Sequence, residues 1–200
     1  MEVDSFKDID LVFLFAEHGE TTGPRPLEHE EYFVRAGKRV AKLLGTPTDD
    51  GFVYRVDLRL RPFGDSGPVA VSFDAMEDYL QQHGRDWERY AYVKARPVYG
   101  AEPGFNDLYR DALRPFVYRR YLDFSVFESL RAMKELIARE VERRELQQNV
   151  KLGPGGIREI EFIVQAFQLL RGGSTQRLQT RSLLEALPQL AGQKLLPADT

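Results

Sequence analysis

Asp8 and Asp10 stand two residues apart at the mouth of an apolar run, Leu11-Val-Phe-Leu-Phe15. In a strand, residues i and i+2 share a face, so both carboxylates aim at one place. The run behind them has strand length and unbroken apolarity, the pattern of a strand buried on both faces. At about 4 Å and an effective dielectric of about 20, two such carboxylates repel by roughly 4 kcal/mol. A divalent cation removes that repulsion, and Mg²⁺ favours one or two carboxylates combined with phosphate oxygens. The alternative is a pair of exposed acids in a turn ahead of a core strand, a common outcome for so short a motif.

A second acidic strand follows. From Phe52 to Arg61 the chain alternates, with Phe52, Tyr54, Val56, Leu58 and Leu60 on one face and Arg55, Asp57, Arg59 and Arg61 on the other. Period two over such a length predicts a strand over 52–61. As a site, Asp57 is a third metal ligand, and Arg59 and Arg61 meet phosphate oxygens with their planar forks. As structure, Asp57 is neutralised by arginines on the solvent side of a sheet. The two acidic strands support each other and together favour the metal reading. Pro62-Phe-Gly-Asp-Ser-Gly-Pro68 then forms a turn cluster. It either wraps a nucleotide or simply turns the chain, and without a following Lys it is no P-loop.

The elements that would position these residues alternate through the first half. Strand 8–15 leads through a polar Gly/Pro/Thr loop from His18 to Pro26 into a helix over about 27–44. Strand 52–61 precedes a helix over about 74–83, and 85–96 continues as helix, with Trp87 as its core anchor and Arg89, Lys94 and Arg96 toward solvent. The character changes near Gly100–Pro103, after which the pattern is helical throughout. From Ser125 to Glu145, Leu130, Met133, Ile137 and Val141 form one stripe, with Arg131/Glu135, Glu135/Arg139 and Glu140/Arg144 pairs opposite. Asn149 to Gln165 is a Gly-rich turn opening a helix. Free N–H groups there favour an anion, with Lys151 and Arg158 beside it. Against that, glycine also serves plain turns, and Glu159 and Glu161 would complement the helix dipole on their own.

Composition removes other classes. The 200 residues allow one large domain or two small ones, and 42% hydrophobic content suffices for a core. No apolar stretch approaches membrane-spanning length, and the N-terminus lacks the layout of a secretory signal. Cysteine is absent and the three histidines (18, 29 and 83) are scattered, which argues against disulfides and a zinc cluster and fits a cytoplasmic protein. A net charge of −3 argues against general nucleic-acid binding.

Five segments resemble a known family: Asp8-Ile-Asp10, Val56-Asp-Leu-Arg-Leu-Arg-Pro-Phe-Gly64, Gly84-Arg-Asp-Trp-Glu-Arg89, Val93-Lys-Ala-Arg-Pro97 and Lys151–Ile163. They are similar to the bifunctional glutamine synthetase adenylyltransferase/adenylyl-removing enzymes of bacteria, from about residue 6 to the C-terminus. The Arg-Leu-Arg-Pro-Phe-Gly and Gly-Pro-Gly-Gly-Ile-Arg-Glu segments resemble the N-terminal, adenylyl-removing half. The resemblance implies an α+β fold: a nucleotidyltransferase-like catalytic domain at 1–102, with a mixed sheet and flanking helices, then at 103–200 a helical domain shared with uridylyltransferase relatives. It implies phosphorolysis of the adenylyl-tyrosine bond on glutamine synthetase, with phosphate as nucleophile and ADP as product. Asp8, Asp10 and Asp57 would hold Mg²⁺, two ions in all, while Arg59, Arg61, Lys151 and Arg158 would meet ADP or ATP and inorganic phosphate. Expected partners are glutamine synthetase and, through regions beyond this chain, a PII-type signalling protein, with neither nucleic acid nor membrane. The Gly-Ser turn usual upstream of the Asp-x-Asp strand does not occur in Met1–Lys7, and Lys7 replaces a small hydroxyl residue. The catalytic domain is therefore expected to be N-terminally truncated and the helical one incomplete. Alternatives are an inactive fragment that binds nucleotide or a partner, an ATP-dependent adenylyltransferase, and a metal-dependent phosphohydrolase.

Overall fold

A computed structural model describes residues 8–99, 103–120, 125–143, 149–151 and 153–196. The Met1–Lys7 lead-in, Gly100 at the expected junction, Leu152, and the Arg144 expected to pair with Glu140 lie outside the described residues. The described chain is α+β and divides into two units, 8–83 with 103–108 and 84–99 with 109–196.

In the first unit the expected first strand is two short ones, β1 (Asp8–Asp10) and β2 (Phe13–Phe15), separated by Leu11 and Val12. Each half has its own parallel partner. β1 pairs with β3 (Arg55–Asp57), and β2 pairs with β4 (Ala70–Ser72). The strand expected over 52–61 is thus confined to its centre. β4 carries no period-two signal because three residues are too few to show one.

Helix α1 (His29–Gly45) places Glu30 and Glu31 in its first turn and Lys42 in its last, each sign matched to the helix dipole. It lies close on β2 because Gly37 lacks a side chain: a Cβ there would sit 3.0 Å from the Phe13 ring and 3.1 Å from Val69. Phe33 from the same helix stacks on Phe15 at 5.2 Å between ring centres. Helix α2 (Phe73–Gln82) begins where Ser72 Oγ accepts the Ala75 N–H at 3.2 Å, a side-chain cap. Its Met76, Tyr79 and Leu80 join Phe15, Ala70 and Val71 in the core. Helix α4 (Pro103–Leu108) packs on α2, so by packing this segment belongs with the first unit although it follows the boundary expected at 102/103.

Helix α3 (Asp86–Tyr92) packs with the second unit, against α5 (Arg114–Val117), α6 (Ser125–Arg143) and α7 (Ile157–Arg171). Its burial reverses the expectation from sequence. Trp87 is exposed, whereas Glu88 and Arg89 are each 1% exposed. Glu88 caps its own helix by accepting the Arg85 N–H at 2.8 Å. Arg89 donates to the carbonyls of Phe116 (3.0 Å) and Val117 (3.2 Å) and to Asp86 (3.1 Å), tying α3 to the end of α5. Lys94 pairs with Glu161. Leu130, Met133, Ile137 and Val141 form the inward stripe of α6, and Glu135 pairs with Arg139 at 3.6 Å. Val164 of α7, Leu178, and Ala186 and Leu190 of α8 (Leu183–Gly192) make a separate core.

Candidate active site

The β1–β3 register aligns Asp8 with Arg55, Ile9 with Val56, and Asp10 with Asp57. Ile9 and Val56 turn inward, while Asp8 and Asp10 lie on the exposed side of the ladder, as the i, i+2 spacing requires. Asp57 sits beside Asp10 at the strand-to-strand spacing of about 4.8 Å. The Leu11 N–H donates to the Asp57 carbonyl at 2.9 Å and fixes the end of the ladder beside this pair. The two acidic strands identified from sequence are therefore neighbours, and their carboxylates emerge on one face.

Arginines hold that face together. Asp8 pairs with Arg55 at 3.5 Å, and Asp57 accepts from the Arg59 backbone N–H at 2.8 Å and from its guanidinium. The Arg59 bonds hold the Asp57 carboxyl below the usual carboxylate range, against a smaller opposing effect of burial. In return Asp57 raises the Arg59 pKa, with smaller contributions from Asp65 and Asp10. Three acids, Asp8, Asp10 and Asp57, against Arg55 and Arg59 leave one net negative charge on the face. The Arg59 side chain is 74% exposed, and such an ion pair contributes about 0–1 kcal/mol, so another cation displaces it at little cost.

This sets what the site can hold. Among the described residues no group of three or more His, Asp or Glu side chains is gathered to hold a metal ion. Asp8 and Asp57 are instead engaged by Arg55 and Arg59. The donor chemistry is of the kind Mg²⁺ takes even so, since it is all carboxylate oxygen on neighbouring strands, and the exposed arginine pairs such an ion would displace are weak.

Arg61 takes a different role from Arg59. The chain leaves the ladder after Asp57, and the Arg61 side chain turns inward, donating to the carbonyls of Leu58 (2.7 Å) and Gly67 (3.3 Å) and to Asp65 (3.4 Å). It anchors the loop that follows. Phe63, at φ 60° and ψ 13°, and Gly64, at φ 55°, carry that loop through left-handed backbone, and Phe63 is 56% exposed. Neither the left-handed turn nor that exposure was legible from sequence, although the Gly/Pro cluster marked the place.

Lys151 and Arg158 belong to the second unit. The Gly-rich turn before α7 is closed on itself: Gly153 N–H donates to Asn149 O, Ile157 N–H to Val150 O and Arg158 N–H to Lys151 O. Glu159 Oε2 accepts the Gly155 N–H at 2.7 Å, and its carboxyl also meets Lys134 at 3.3 Å. Those two contacts, the backbone one larger, hold the Glu159 pKa below its usual value. A carboxylate of the chain itself thus meets one N–H group of this turn.

Comparison with known proteins falls on these same two regions. A family model described as glutamate-ammonia ligase adenylyltransferase matches residues 1–108, and one described as PII-uridylyltransferase matches residues 131–200. Both describe nucleotidyltransferases, and that is the class of enzyme to which the acidic ladder belongs. The first match covers more than half of the chain, which belongs to the glutamate-ammonia ligase adenylyltransferase family. Among the described residues, no helix is long and apolar enough to cross a membrane.

Proposed function

We propose that this chain removes AMP from the adenylylated tyrosine of glutamine synthetase by Mg²⁺-dependent phosphorolysis in the cytoplasm, with Asp8, Asp10 and Asp57 at its centre. The observation that carries this reading is the register that sets Asp10 beside Asp57 with Arg59 on the same face. The segments around Arg59 and Gly155 resemble the adenylyl-removing half of the family, which supports the proposed direction.

Mg²⁺, bound by the three aspartates as one or two ions, would neutralise the non-bridging oxygens of the adenylyl group. The chain's own residues do the rest. Inorganic phosphate is already anionic at neutral pH, so it needs relief from repulsion more than it needs a base. Arg59, released from Asp57, presents its planar fork to phosphate oxygens as the two anions approach. A phosphate oxygen forms the new bond to the adenylyl phosphorus, the bond to the tyrosine oxygen breaks, and the products are ADP and tyrosine. With an ordinary pKa of about 10, the departing phenolate takes its proton from water at neutral pH. Arg61 holds the loop beside the site. Lys151 and Arg158 are proposed contacts for nucleotide or phosphate on the second unit, and a PII-type protein is proposed as a further partner.

The test is incubation of the chain with adenylylated glutamine synthetase, Mg²⁺ and phosphate, with ADP as the readout. Phosphate-dependent ADP is expected. Asp57→Asn should lower its rate by more than about 100-fold, since losing even a partner of a metal ligand costs 10–100-fold. AMP in place of ADP would make the chain a phosphohydrolase. Adenylyl transfer from ATP to unmodified glutamine synthetase would make it an adenylyltransferase. No turnover from folded protein would leave it a binding fragment.

A further inference from the structure

We propose that the exposed ring of Phe63 is a stacking platform for the adenine base of the nucleotide handled at Asp10 and Asp57. This rests on the proposed function for the identity of the base, and on the loop geometry for the platform itself.

A single exposed hydrophobic residue is ordinary and by itself implies nothing. Phe63 differs in three respects. Its backbone occupies the left-handed region, φ 60° and ψ 13°, where a bulky side chain is a genuine outlier. Such strain is usually offset by better burial, yet more than half of this residue is in solvent. The fold therefore spends backbone strain to hold an aromatic ring outward, a combination retained where the position of the side chain matters.

The ring is also fixed in place. It meets Tyr79 at 4.9 Å and 73° and His83 at 5.3 Å and 56°, so α2 braces it at steep angles. Beneath it, the Arg61 guanidinium ties the loop to the carbonyls of Leu58 and Gly67. Gly67 allows the loop to close so tightly that a Cβ there would fall 1.9 Å from the Pro62 carbonyl oxygen. A braced, exposed aromatic ring loses little freedom on binding, as a preorganised surface should.

Its place in the fold indicates the ligand. The loop leaves β3 directly after Asp57. Gly64, next to Phe63, brings the loop back until a Cβ there would lie 3.7 Å from the Arg59 carbonyl oxygen, and Arg59 is bonded to Asp57. A nucleotide whose phosphates face the carboxylates and Arg59 has its base within the neighbourhood of this loop. The π-face of a purine is the chemistry an exposed phenyl ring recognises, and aromatic stacking of this kind is tolerant of base identity.

The test uses the full chain with Mg²⁺, titrated calorimetrically with ADP and separately with inorganic pyrophosphate, which lacks a base. Phe63→Leu and Phe63→Gly should weaken ADP binding by about 5- to 100-fold, the range that stacking supplies, and leave pyrophosphate unchanged. Phe63→Trp should retain ADP. In Phe63→Gly the relief of the left-handed backbone offsets part of the lost Tyr79 and His83 contacts, and its melting curve together with unchanged pyrophosphate binding separates a loss of ADP from misfolding. If ADP binding by Phe63→Gly changes less than about twofold, below what stacking gives, the platform is refuted. If Asp57→Asn meanwhile loses both ligands, the phosphate chemistry stands without the platform. A parallel fall of ADP and pyrophosphate in Phe63→Gly also refutes it, since the ring would then act on the phosphates. A wild-type chain that binds neither ligand overturns the platform and the proposed function together.

Discussion

Arg89 offers a perturbation whose size can be worked from its contacts. Its guanidinium is 1% exposed and donates to two backbone carbonyls, Phe116 and Val117, and to Asp86. Asp86 in turn accepts from Ser129 Oγ of α6 at 2.8 Å, so one cation links α3, α5 and α6. Arg89→Met keeps most of the apolar stem and removes every donor. The loss is then polar: a carboxylate without its cation and carbonyls without these donors. Removing one partner of a buried ion pair costs about 3–5 kcal/mol, and an unsatisfied carbonyl adds about 1–3 kcal/mol where water does not reach it. These costs overlap because all arise from one site, so the expected destabilisation is about 3–5 kcal/mol. Arg89→Lys, which keeps the charge and loses the fork, should fall between wild type and Met. Urea unfolding at 25 °C, followed through the fluorescence of Trp87, the one tryptophan of the chain, reads this unit directly. A loss below about 1 kcal/mol, the value of an exposed ion pair, would refute the reasoning.

Two further expectations concern stability. Gly67→Ala should force the 62–67 loop open, since its Cβ would lie 1.9 Å from the Pro62 oxygen, and should cost about 1–3 kcal/mol in a denaturant titration. Burial pushes Tyr90 and Tyr118 up to about 12. An unfolded tyrosine ionises near about 10, so above that pH the unfolded state loses protons that the folded state keeps. Stability should be fully present below pH 10 and fall as pH rises toward 12. Tyr90→Phe and Tyr118→Phe should each flatten the fall in urea midpoint over that interval.

The helices of the first unit were readable because their period is long and strong. The expected 27–44 and 74–83 correspond to His29–Gly45 and Phe73–Gln82. The second strand was readable in its centre, where Asp57 pairs with Asp10, and overextended at its end. The residues after Asp57 continue the alternation, but the Arg59 N–H bonds back to the Asp57 carboxylate, a turn-forming contact, and Arg61 folds inward. Alternation in sequence therefore outlasts the strand in space. Arg89 and Trp87 show the opposite difficulty. On hydropathy the tryptophan should be inside and the arginine outside, and their places are reversed because two carbonyls and Asp86 satisfy the guanidinium. No local pattern carries that information, because the carbonyls belong to residues 27 and 28 positions away. The acids were identified by type and spacing. That Arg55 and Arg59 would engage Asp8 and Asp57 while Arg61 anchored a loop depends on side-chain direction beyond the end of the strand.

The most direct measurement follows labelled inorganic phosphate into product. Adenylylated glutamine synthetase, Mg²⁺ and ³²P-phosphate are incubated with the chain and with Asp57→Asn, and the nucleotides are separated. Phosphorolysis places the label in the β-position of ADP, in wild type and not in the variant. Unlabelled AMP as the product, or labelled ADP undiminished in Asp57→Asn, would contradict the assignment of this chemistry to the paired acidic strands.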